Sequence, residues 1–560
     1  MKLQSLVSCI SLILFFGVYT PIFTQSNYFQ NYTFGEADTL RGALRAERTC
    51  FDVTHYGLNI EVNPSTRSIE GYVKMTYEIL EDFKTLQVDL YENMEIVRIL
   101  HKRDLLKFRR VHDAVFVDFE ETQLKGKTDN IKIFYKGKPT VARNPPWDGG
   151  FVWSKDGQGK HWIGVACEGD GASLWWPNKD HLSDEPDSVL IQVTVPAGLT
   201  CVANGNLRKM EKIGENKMRF DWAVTYPINN YNVSVNIADY ANFKEAYTAQ
   251  DGEKLELDYY VLKANLEKAK KQFKEVHLTL EAFEHFFGKY PFWNDGFGMV
   301  ETPYLGMEHQ GVIAYGNKYM RGYLGGLLPR GIDFDYIIVH ETGHEYFGNS
   351  ISANDIAEMW IHESFTTYME ALFVEYKYSY KEAVRYLKSQ RYFIRNREPI
   401  VGPLNVNFDD WKGSDHYYKG AWILHTLRHA IGDDEKWWSI LKSFHEDNRI
   451  KNLKTEDFIN HLNKHTGKDY APILTQYLYY PSVPKLMYKI KQKGKKLKVK
   501  YKWNTQVKDF DMPVQVGVKG NYKTIQPSTK EWKTITLKDI AKEDFRVAKE
   551  YFLVDAVLAK

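Results

Sequence analysis

Two histidines in the segment HETGH, residues 340–344, carry the clearest chemical signal in this chain. Their four-residue spacing within a helical pattern places both imidazoles on one face of a helix, where they can share a metal ion. Eighteen residues separate His344 from Glu363, which lies in a second predicted helix and supplies a third ligand. His340, His344 and Glu363 leave a fourth position open for water, which is typical of a catalytic zinc site. We predict one Zn²⁺ per chain.

The carboxylate between the two histidines predicts the general base. Glu341 points toward the open position, so it can accept a proton from the attacking water and pass it to the leaving amine. His362 directly precedes Glu363, and adjacent residues on a helix diverge by about 100°. We therefore expect His362 to pack against or support a ligand rather than to bind the metal.

The segment LGMEHQ, residues 305–310, precedes the histidine pair. It is similar to the Gly-x-Met-Glu-Asn exopeptidase motif of the aminopeptidase N family of zinc metallopeptidases, which includes the leukotriene hydrolase branch. The chain resembles this family from about residue 50 onward. The resemblance implies that Gly306 and Met307 line the substrate site and that Glu308 binds the α-ammonium of the substrate. His309 stands where the family usually has Asn.

Two further segments are similar to family motifs. YYKG, residues 417–420, corresponds to a Tyr-x-Lys-Gly segment, which implies that Tyr417 stabilises the transition state; Tyr418 is the alternative. ACEG, residues 166–169, precedes an aromatic-rich stretch and implies that Glu168 helps to bind the substrate ammonium.

The implied activity is hydrolysis of the N-terminal peptide bond of peptides that have a free N-terminus. A thermolysin-like endopeptidase is one alternative, but it has no use for acidic groups that block the cleft beyond the first residue. An epoxide hydrolase of the leukotriene hydrolase type is a second alternative. A non-catalytic zinc-binding or adhesion protein is a third, and Glu341 and Tyr417 argue against it because a binding protein needs neither.

The hydrophobic pattern predicts a multidomain α+β fold for the 560 residues. Apolar residues alternate with polar ones in the first half, helical periodicity follows, and alternation returns near the end. We predict an N-terminal β domain at 26–245, a thermolysin-like, mainly helical catalytic domain at 246–482, and a small C-terminal β-sandwich at 483–560. Helices of particular relevance to the site are predicted at Leu266–Phe287, Tyr336–Phe347 and Ile356–Tyr376.

The N-terminal residues 1–25 contain one lysine followed by an apolar run, which predicts a signal peptide. We therefore expect export to the periplasm or the extracellular space. An uncleaved N-terminal anchor is the alternative, and only this alternative would attach the protein to a membrane.

Composition limits the choice of partners. With 74 basic and 72 acidic residues, the net charge of +2 produces no field that would steer the chain toward nucleic acid or an anionic membrane. The lysines between 489 and 500 alternate with apolar residues, which predicts the solvated face of strands rather than a nucleic-acid site. Beyond the predicted signal peptide, Cys50, Cys167 and Cys201 are too few for a thiolate zinc site, although one disulfide is compatible with them.

Overall fold

The computed structural model describes residues 27–560, so the predicted signal peptide at 1–25 lies outside the described residues. Across the described range, no helix combines the length and the apolar character needed to cross a membrane. The cysteines at 50, 167 and 201 are buried and free.

The N-terminal region is built from strands, as the alternating pattern predicts. Side chains such as Tyr56, Leu58, Ile60 and Val62 are buried along one face of the first strand. Two short helices, α1 (Glu36–Gly42) and α2 (Ala46–Thr49), precede the strands β1 (Phe51–Asn63), β2 (Ser68–Ile79), β3 (Phe83–Asp89), β4 (Met94–His101), β5 (Asp104–Val111), β6 (Ala114–Gln123), β7 (Thr128–Gly137), β8 (Gly150–Lys155), β9 (His161–Ala166), β10 (Ser188–Pro196), β11 (Thr200–Ala203), β12 (Asn206–Ile213), β13 (Lys217–Val224) and β14 (Val235–Ala238).

These strands form two sheets. The larger has ten strands in the order β12-β13-β10-β1-β2-β7-β4-β5-β6-β3, and the smaller has the order β11-β14-β9-β8. The chain leaves β9 at Ala166, so the segment that carries Glu168 begins at the end of a buried strand. The smaller sheet therefore holds Glu168 on the N-terminal region.

A third sheet connects this region to the helices. Its strands are β15 (Tyr240–Thr248), β16 (Lys254–Leu262), β17 (Phe297–Glu301), β18 (Gly306–Met307) and β19 (Ile313–Tyr315), in the order β15-β16-β17-β19-β18. The predicted domain boundary at 245/246 falls inside β15, so a boundary near residue 239 keeps this sheet whole. The short strand β18 forms the edge of the sheet.

Helices dominate the next region. They are α3 (Leu266–Gln272), α4 (Glu275–Phe287), α5 (Tyr336–His344), α6 (Trp360–Lys377), α7 (Tyr380–Gln390), α8 (Asp415–Ile431), α9 (Asp434–Asp447), α10 (Thr455–Thr466) and α11 (Ala471–Leu478), with a small sheet of β20 (Ile351–Ala353) and β21 (Lys451–Leu453). The helix predicted at Leu266–Phe287 is divided in two around Phe273, whose ring packs against Tyr259 and Tyr315.

The helix that carries the histidine pair has a well-defined start. Asp335 is its N-cap, and the side chain accepts hydrogen bonds from the backbone N–H groups of Ile337 and Ile338. Such caps satisfy backbone donors that the helix itself leaves unpaired. The helix ends at His344, three residues before the predicted end. A single 3-10 turn at Ile356–Glu358 precedes α6, which begins at Trp360 rather than at the predicted Ile356.

The C-terminal residues form two further sheets. Their strands are β22 (Lys485–Lys493), β23 (Lys496–Asn504), β24 (Val514–Val518), β25 (Asn521–Ile525), β26 (Lys533–Lys538), β27 (Arg546–Val547) and β28 (Asp555–Leu558), in the orders β26-β23-β22-β28 and β25-β24-β27. Buried residues such as Val499 and Val516 belong to the same apolar cluster as Trp422 and Tyr477 of the helices. The C-terminal sheets therefore share a core with the helical region.

A close helix contact fixes the site helices relative to each other. A Cβ added to Gly420 on α8 would lie 1.6 Å from the Ser364 Oγ on α6, so only glycine fits. The same Oγ donates a hydrogen bond of 2.6 Å to the backbone carbonyl of His416. Glycine at 420 thus allows α8 to lie directly against the helix that carries Glu363.

We expect Gly420→Ala to destabilise the protein by about 1–3 kcal/mol, because the added methyl group overpacks this contact. Chemical denaturation of the wild type, Gly420→Ala, Ser364→Gly and the double variant measures the effect. In the Ser364→Gly background the Gly420→Ala cost should shrink, because the clashing side chain is gone. A Gly420→Ala protein as stable as the wild type would contradict the proposed packing constraint.

Candidate active site

Three buried side chains converge at one point between α5 and α6. The Nε2 atoms of His340 and His344 lie 3.2 Å apart, and the Glu363 Oε2 lies 3.7 Å and 3.5 Å from them. Their exposed fractions are 6%, 1% and 3% for His340, His344 and Glu363. The structure therefore gathers the three predicted ligands from two helices.

The far nitrogens of the two imidazoles have fixed hydrogen-bond partners. His340 Nδ1 lies 2.7 Å from the Glu370 Oε1, and His344 Nδ1 lies 3.0 Å from the Phe347 carbonyl oxygen. These acceptors favour a proton on each Nδ1 and leave the Nε2 lone pairs for a metal ion. Both imidazoles are thereby oriented toward the Glu363 carboxylate.

The donor set fits a zinc ion. The Glu363 Oε2 is buried and has no hydrogen-bond partner among the described residues, although it faces two imidazoles. Burial opposes protonation of His340, but the neighbouring carboxylates of Glu363 and Glu370 raise its pKa well above the usual value. Two nitrogen ligands and one carboxylate oxygen are a set that zinc accepts in a catalytic site.

Glu341 lies beside this cluster and is 6% exposed. Burial raises the pKa of Glu341 to about 7 without a metal ion, against the lowering effect of the two histidines. A Cβ on Gly306 would lie 2.9 Å from the Glu341 Oε1 and 2.9 Å from the Ile337 Cγ2. Glycine at 306 therefore lets strand β18 approach the carboxylate of the predicted base.

Glu308 lies in the same cluster, directly after β18. Its carboxylate, the Glu341 carboxylate and an imidazole nitrogen of His344 lie within 4.8 Å of one another. The Tyr231 hydroxyl donates to the Glu308 Oε1 at 3.1 Å, and the Asn349 side chain donates to the Glu308 backbone carbonyl at 2.8 Å. Glu308 is thus held close to the base and to one predicted metal ligand.

Glu168 reaches the cleft from the other side, from the N-terminal region. Its Oε1 is buried and has no hydrogen-bond partner among the described residues. Burial, followed by repulsion from Glu308 and Glu363, raises the pKa of Glu168 well above its usual value. Two neighbouring carboxylates in a poorly solvated position favour a cation between them.

The two adjacent tyrosines have different surroundings. The Tyr417 ring stacks on His340, with centroids 6.1 Å apart and an interplanar angle of 22°. Burial and the nearby Glu363 raise the pKa of Tyr417 well above the usual value. Tyr418 instead packs against Phe393 at 5.1 Å, although it also borders the cleft. Tyr417 is therefore the better placed phenol.

All nine predicted site residues border one cleft of about 510 Å³. Besides the ligands and carboxylates, Gly306, Met307 and Tyr417 line its wall.

His362 does not line the cleft: its Nε2 accepts a hydrogen bond of 2.7 Å from the Ala353 N–H, in agreement with a packing role. His309 is fully buried, and burial lowers its pKa to about 3, so it fills space as a neutral side chain.

Sequence reasoning missed Glu370, which is fully buried. Its Oε2 accepts hydrogen bonds from the Tyr386 hydroxyl at 2.5 Å and the Gln390 side chain at 2.8 Å. Its spacing could have revealed it, because seven residues after Glu363 are about two helical turns and return to the same face. Tyr386 and Gln390 carry no comparable signal in the sequence.

We expect Glu370→Gln to weaken zinc binding by roughly 10- to 100-fold, because the amide no longer offers a charged acceptor to the His340 Nδ1–H. Competition with a metal-buffering chelator measures the affinity. Tyr386→Phe is the matched control: it removes one hydrogen bond to Glu370 but keeps the carboxylate, so its effect should be smaller. Equal zinc affinity of Glu370→Gln and the wild type would refute this support of the ligand.

Comparison with known proteins agrees with this geometry. Residues 271–477 match the Peptidase family M1 domain. The chain is 26% identical over 282 residues to aminopeptidase B of Mus musculus, which covers 48% of this chain and 40% of that protein. It is 22% identical over 466 residues to aminopeptidase N of Lactobacillus helveticus, which covers 78% of this chain and 51% of that protein. The matched parts thus span about half or less of these relatives.

The fold is also found among solved structures. An M1 zinc metallopeptidase of Deinococcus radiodurans is 19% identical, with a TM-score of 0.65 over 77% of this chain and 94% of that chain. A variant of that protein has been solved with the substrate Tyr-Ser-Ala. Together with the three gathered ligands, the family match identifies residues 271–477 as a zinc peptidase domain of family M1, as the resemblance to the aminopeptidase N family predicts.

Proposed function

We propose that this protein is a zinc-dependent aminopeptidase that removes the first residue from peptides with a free N-terminus. One observation carries the proposal: the Glu308 carboxylate lies within 4.8 Å of ligand atoms of both Glu341 and His344. An acidic group this close to the base and the metal ligands leaves room for about one substrate residue between the bound α-ammonium and the bond that is cut. The M1 match covers residues 271–477, and we extend peptidase activity from this domain to the whole chain.

The ligand roles follow from the same geometry. His340, His344 and Glu363 would hold the zinc ion, and Glu370 orients one of them. Zinc, when bound, supplies Lewis acidity that favours ionisation of water and polarises the scissile carbonyl.

The remaining residues act on the substrate. Glu341 accepts the proton of the attacking water and delivers it to the leaving amine. Tyr417 donates a hydrogen bond to the oxygen that becomes negative in the transition state. Glu308, with Glu168 opposite, binds the α-ammonium, which is mostly protonated at neutral pH. Gly306 and Met307 form the adjoining wall.

The alternatives fit the site less well. A thermolysin-like endopeptidase must bind several substrate residues on each side of the scissile bond. The buried carboxylates of Glu308 and Glu168 stand where the N-terminal part of that peptide would continue. No feature of the cleft specifically favours an epoxide over a peptide. The carboxylate pair therefore supports exopeptidase activity.

We also propose the C-terminal β-sandwich and the export that the sequence predicts. Both C-terminal sheets contribute buried side chains to one apolar cluster, which supports a small β-sandwich at 483–560 whose core continues into the helices. The apolar run within residues 1–25 supports export. Cell fractionation and N-terminal sequencing of the mature protein would test export; an intact Met1 on a cytoplasmic protein would refute it.

Glu308→Ala should strongly lower kcat/KM for free aminoacyl substrates while zinc content stays normal, because the variant loses a charge-assisted bond to the ammonium. The wild type should reject N-acetylated peptides, since a capped amine leaves buried carboxylates unpaired at a cost of about 1–3 kcal/mol or more. Paired free and acetylated peptides give the comparison. Efficient cleavage of acetylated peptides by the wild type would favour the endopeptidase.

Glu341→Gln should retain zinc and lose nearly all turnover, because an amide does not accept the proton of water. Metal analysis and initial rates measure the two properties. Glu345→Gln is the matched control four residues later: its carboxylate accepts a hydrogen bond of 2.8 Å from the Gly311 N–H, which an amide oxygen preserves. A Glu341→Gln enzyme that keeps near wild-type rates would refute the assignment of the base.

Tyr417→Phe should lower kcat by about 10²–10³, or about 3–4 kcal/mol, with little change in KM, because the hydroxyl acts chiefly in the transition state. Tyr418→Phe provides the control, since it removes the same atom from the neighbouring side chain that packs on Phe393. Steady-state kinetics of both variants decides the assignment. A larger loss of kcat in Tyr418→Phe would transfer the role to that residue.

A further inference from the structure

Charge is distributed very unevenly along the chain. Residues 483–560 contain 19 basic and 8 acidic residues, which gives this region a net charge of +11. Since the whole chain has 74 basic and 72 acidic residues, residues 1–482 contain 55 and 64 and carry −9. The total of +2 therefore hides a strongly basic C-terminal region, and such asymmetry indicates an anionic partner.

The structure concentrates this charge on one sheet face. Strands β22 and β23 point their apolar residues, such as Leu497 and Val499, into the core and their lysines to solvent. We call this exposed surface the lysine face; it comprises Lys489, Lys491, Lys493, Lys496, Lys498, Lys500 and Lys538. The alternation predicted from the sequence thus produces a continuous basic surface.

The lysines stand directly opposite one another across the strands. Cross-strand pairs join Lys489 to Lys500, Lys491 to Lys498, and Lys493 to Lys496, while Lys538 of β26 pairs with Lys496. Within residues 27–560, no lysine of this face forms an ion pair with a carboxylate. Like charges directly opposite in a sheet are destabilising, so an anionic surface laid on this face would relieve repulsion.

The chemistry of the face favours a lipid surface over a nucleic acid. It contains lysines but no arginine, and lysine is a point charge without the planar fork that reads individual phosphates. Exposed apolar groups adjoin it: Trp532 is 40% exposed near the Lys489 ammonium, and Val557 of the edge strand β28 is also 40% exposed. Tryptophan with long lysines is typical of the water–bilayer interface.

We propose that the lysine face docks the protein on the surface of an anionic lipid bilayer. The lysine ammonium groups bind headgroup phosphates, and Trp532 inserts at the headgroup level. This attachment is electrostatic, so it weakens as salt screens the charges. This attachment departs from the expectation that only an uncleaved N-terminal anchor would hold the protein on a membrane. It depends on neither the first 26 residues nor the peptidase site, and it requires no membrane-spanning helix.

Co-sedimentation of the full chain with vesicles tests the proposal. Vesicles of phosphatidylcholine alone are compared with vesicles that contain phosphatidylglycerol, at low and at high salt. The test variant replaces Lys489, Lys491, Lys498 and Lys500 with Gln, and the matched control replaces Lys519, Lys523, Lys542 and Lys549, which are exposed in the same region but outside this face. Both variants lose the same charge, and peptidase rates in solution verify that both are folded.

The wild type and the control should bind phosphatidylglycerol vesicles in a salt-sensitive manner, and the test variant should bind at least about tenfold more weakly. Salt-insensitive binding that is equal for both lipids would show insertion of the N-terminal segment instead and would refute the proposal. Equal losses in both variants would mean that only total charge matters, which also overturns it. Binding to heparin or DNA without binding to vesicles would assign the face to a soluble polyanion.

Discussion

The burial of two imidazoles and a carboxylate around one point is the constraint on which the centre of this protein depends. Their ligand atoms lie 3.2–3.7 Å apart and are almost inaccessible to water. Such groups are costly to bury unless a cation and fixed hydrogen bonds compensate them. Each imidazole Nδ1–H donates a hydrogen bond, His340 to the Glu370 carboxylate and His344 to the Phe347 carbonyl. The compensation still required is positive charge beside the Nε2 atoms.

This constraint explains the glycines around the site. The cluster needs three elements in close contact: α5, α6 and α8, with strand β18 beside them. Gly420 permits α8 to touch α6 at Ser364, and Gly306 permits β18 to touch the Glu341 carboxylate. Neither position has a positive φ angle, so their role is space rather than backbone freedom. A methyl group at 306 would crowd the Glu341 carboxylate, and one at 420 would crowd Ser364, the residue that follows Glu363 on α6.

Local signals predicted much of this arrangement. The spacing of the histidine pair depends only on helix geometry. It therefore predicted, without any tertiary information, that the imidazoles of His340 and His344 lie side by side, and their Nε2 atoms are 3.2 Å apart. Alternation along β1 and β23 likewise identified the buried faces, because a strand has one side chain per face every two residues. The family resemblance added Glu308, Glu168 and Tyr417, which now border one cleft. These three residues lie in distant segments of the chain, so sequence spacing alone could not reveal that they meet in the fold.

What the sequence could not supply depends on tertiary packing. The break at Phe273 arises because its ring packs between residues of two strands, a contact that overrides the continuous helical pattern. Tyr386 and Gln390 hold Glu370 only because α7 folds back on α6. The shared core of helices and C-terminal sheets has the same origin: Trp422 and Val516 lie 94 residues apart in sequence and meet in one cluster. A periodicity identifies a buried face, but not the element that covers it.

The charges of the cleft and of the C-terminal region have opposite signs. A cleft that selects a free ammonium needs carboxylates in excess, and Glu168, Glu308, Glu341 and Glu363 all face this cleft. Among residues 27–560, no lysine or arginine lines it. The acidic character of residues 1–482 is consistent with this requirement. The basic C-terminal region balances it in the total charge but not in space, because the lysines lie on a solvated sheet face. Separation of the two signs permits each surface to attract a partner of opposite charge: cationic N-termini at the cleft and an anionic surface at the C-terminal sheet.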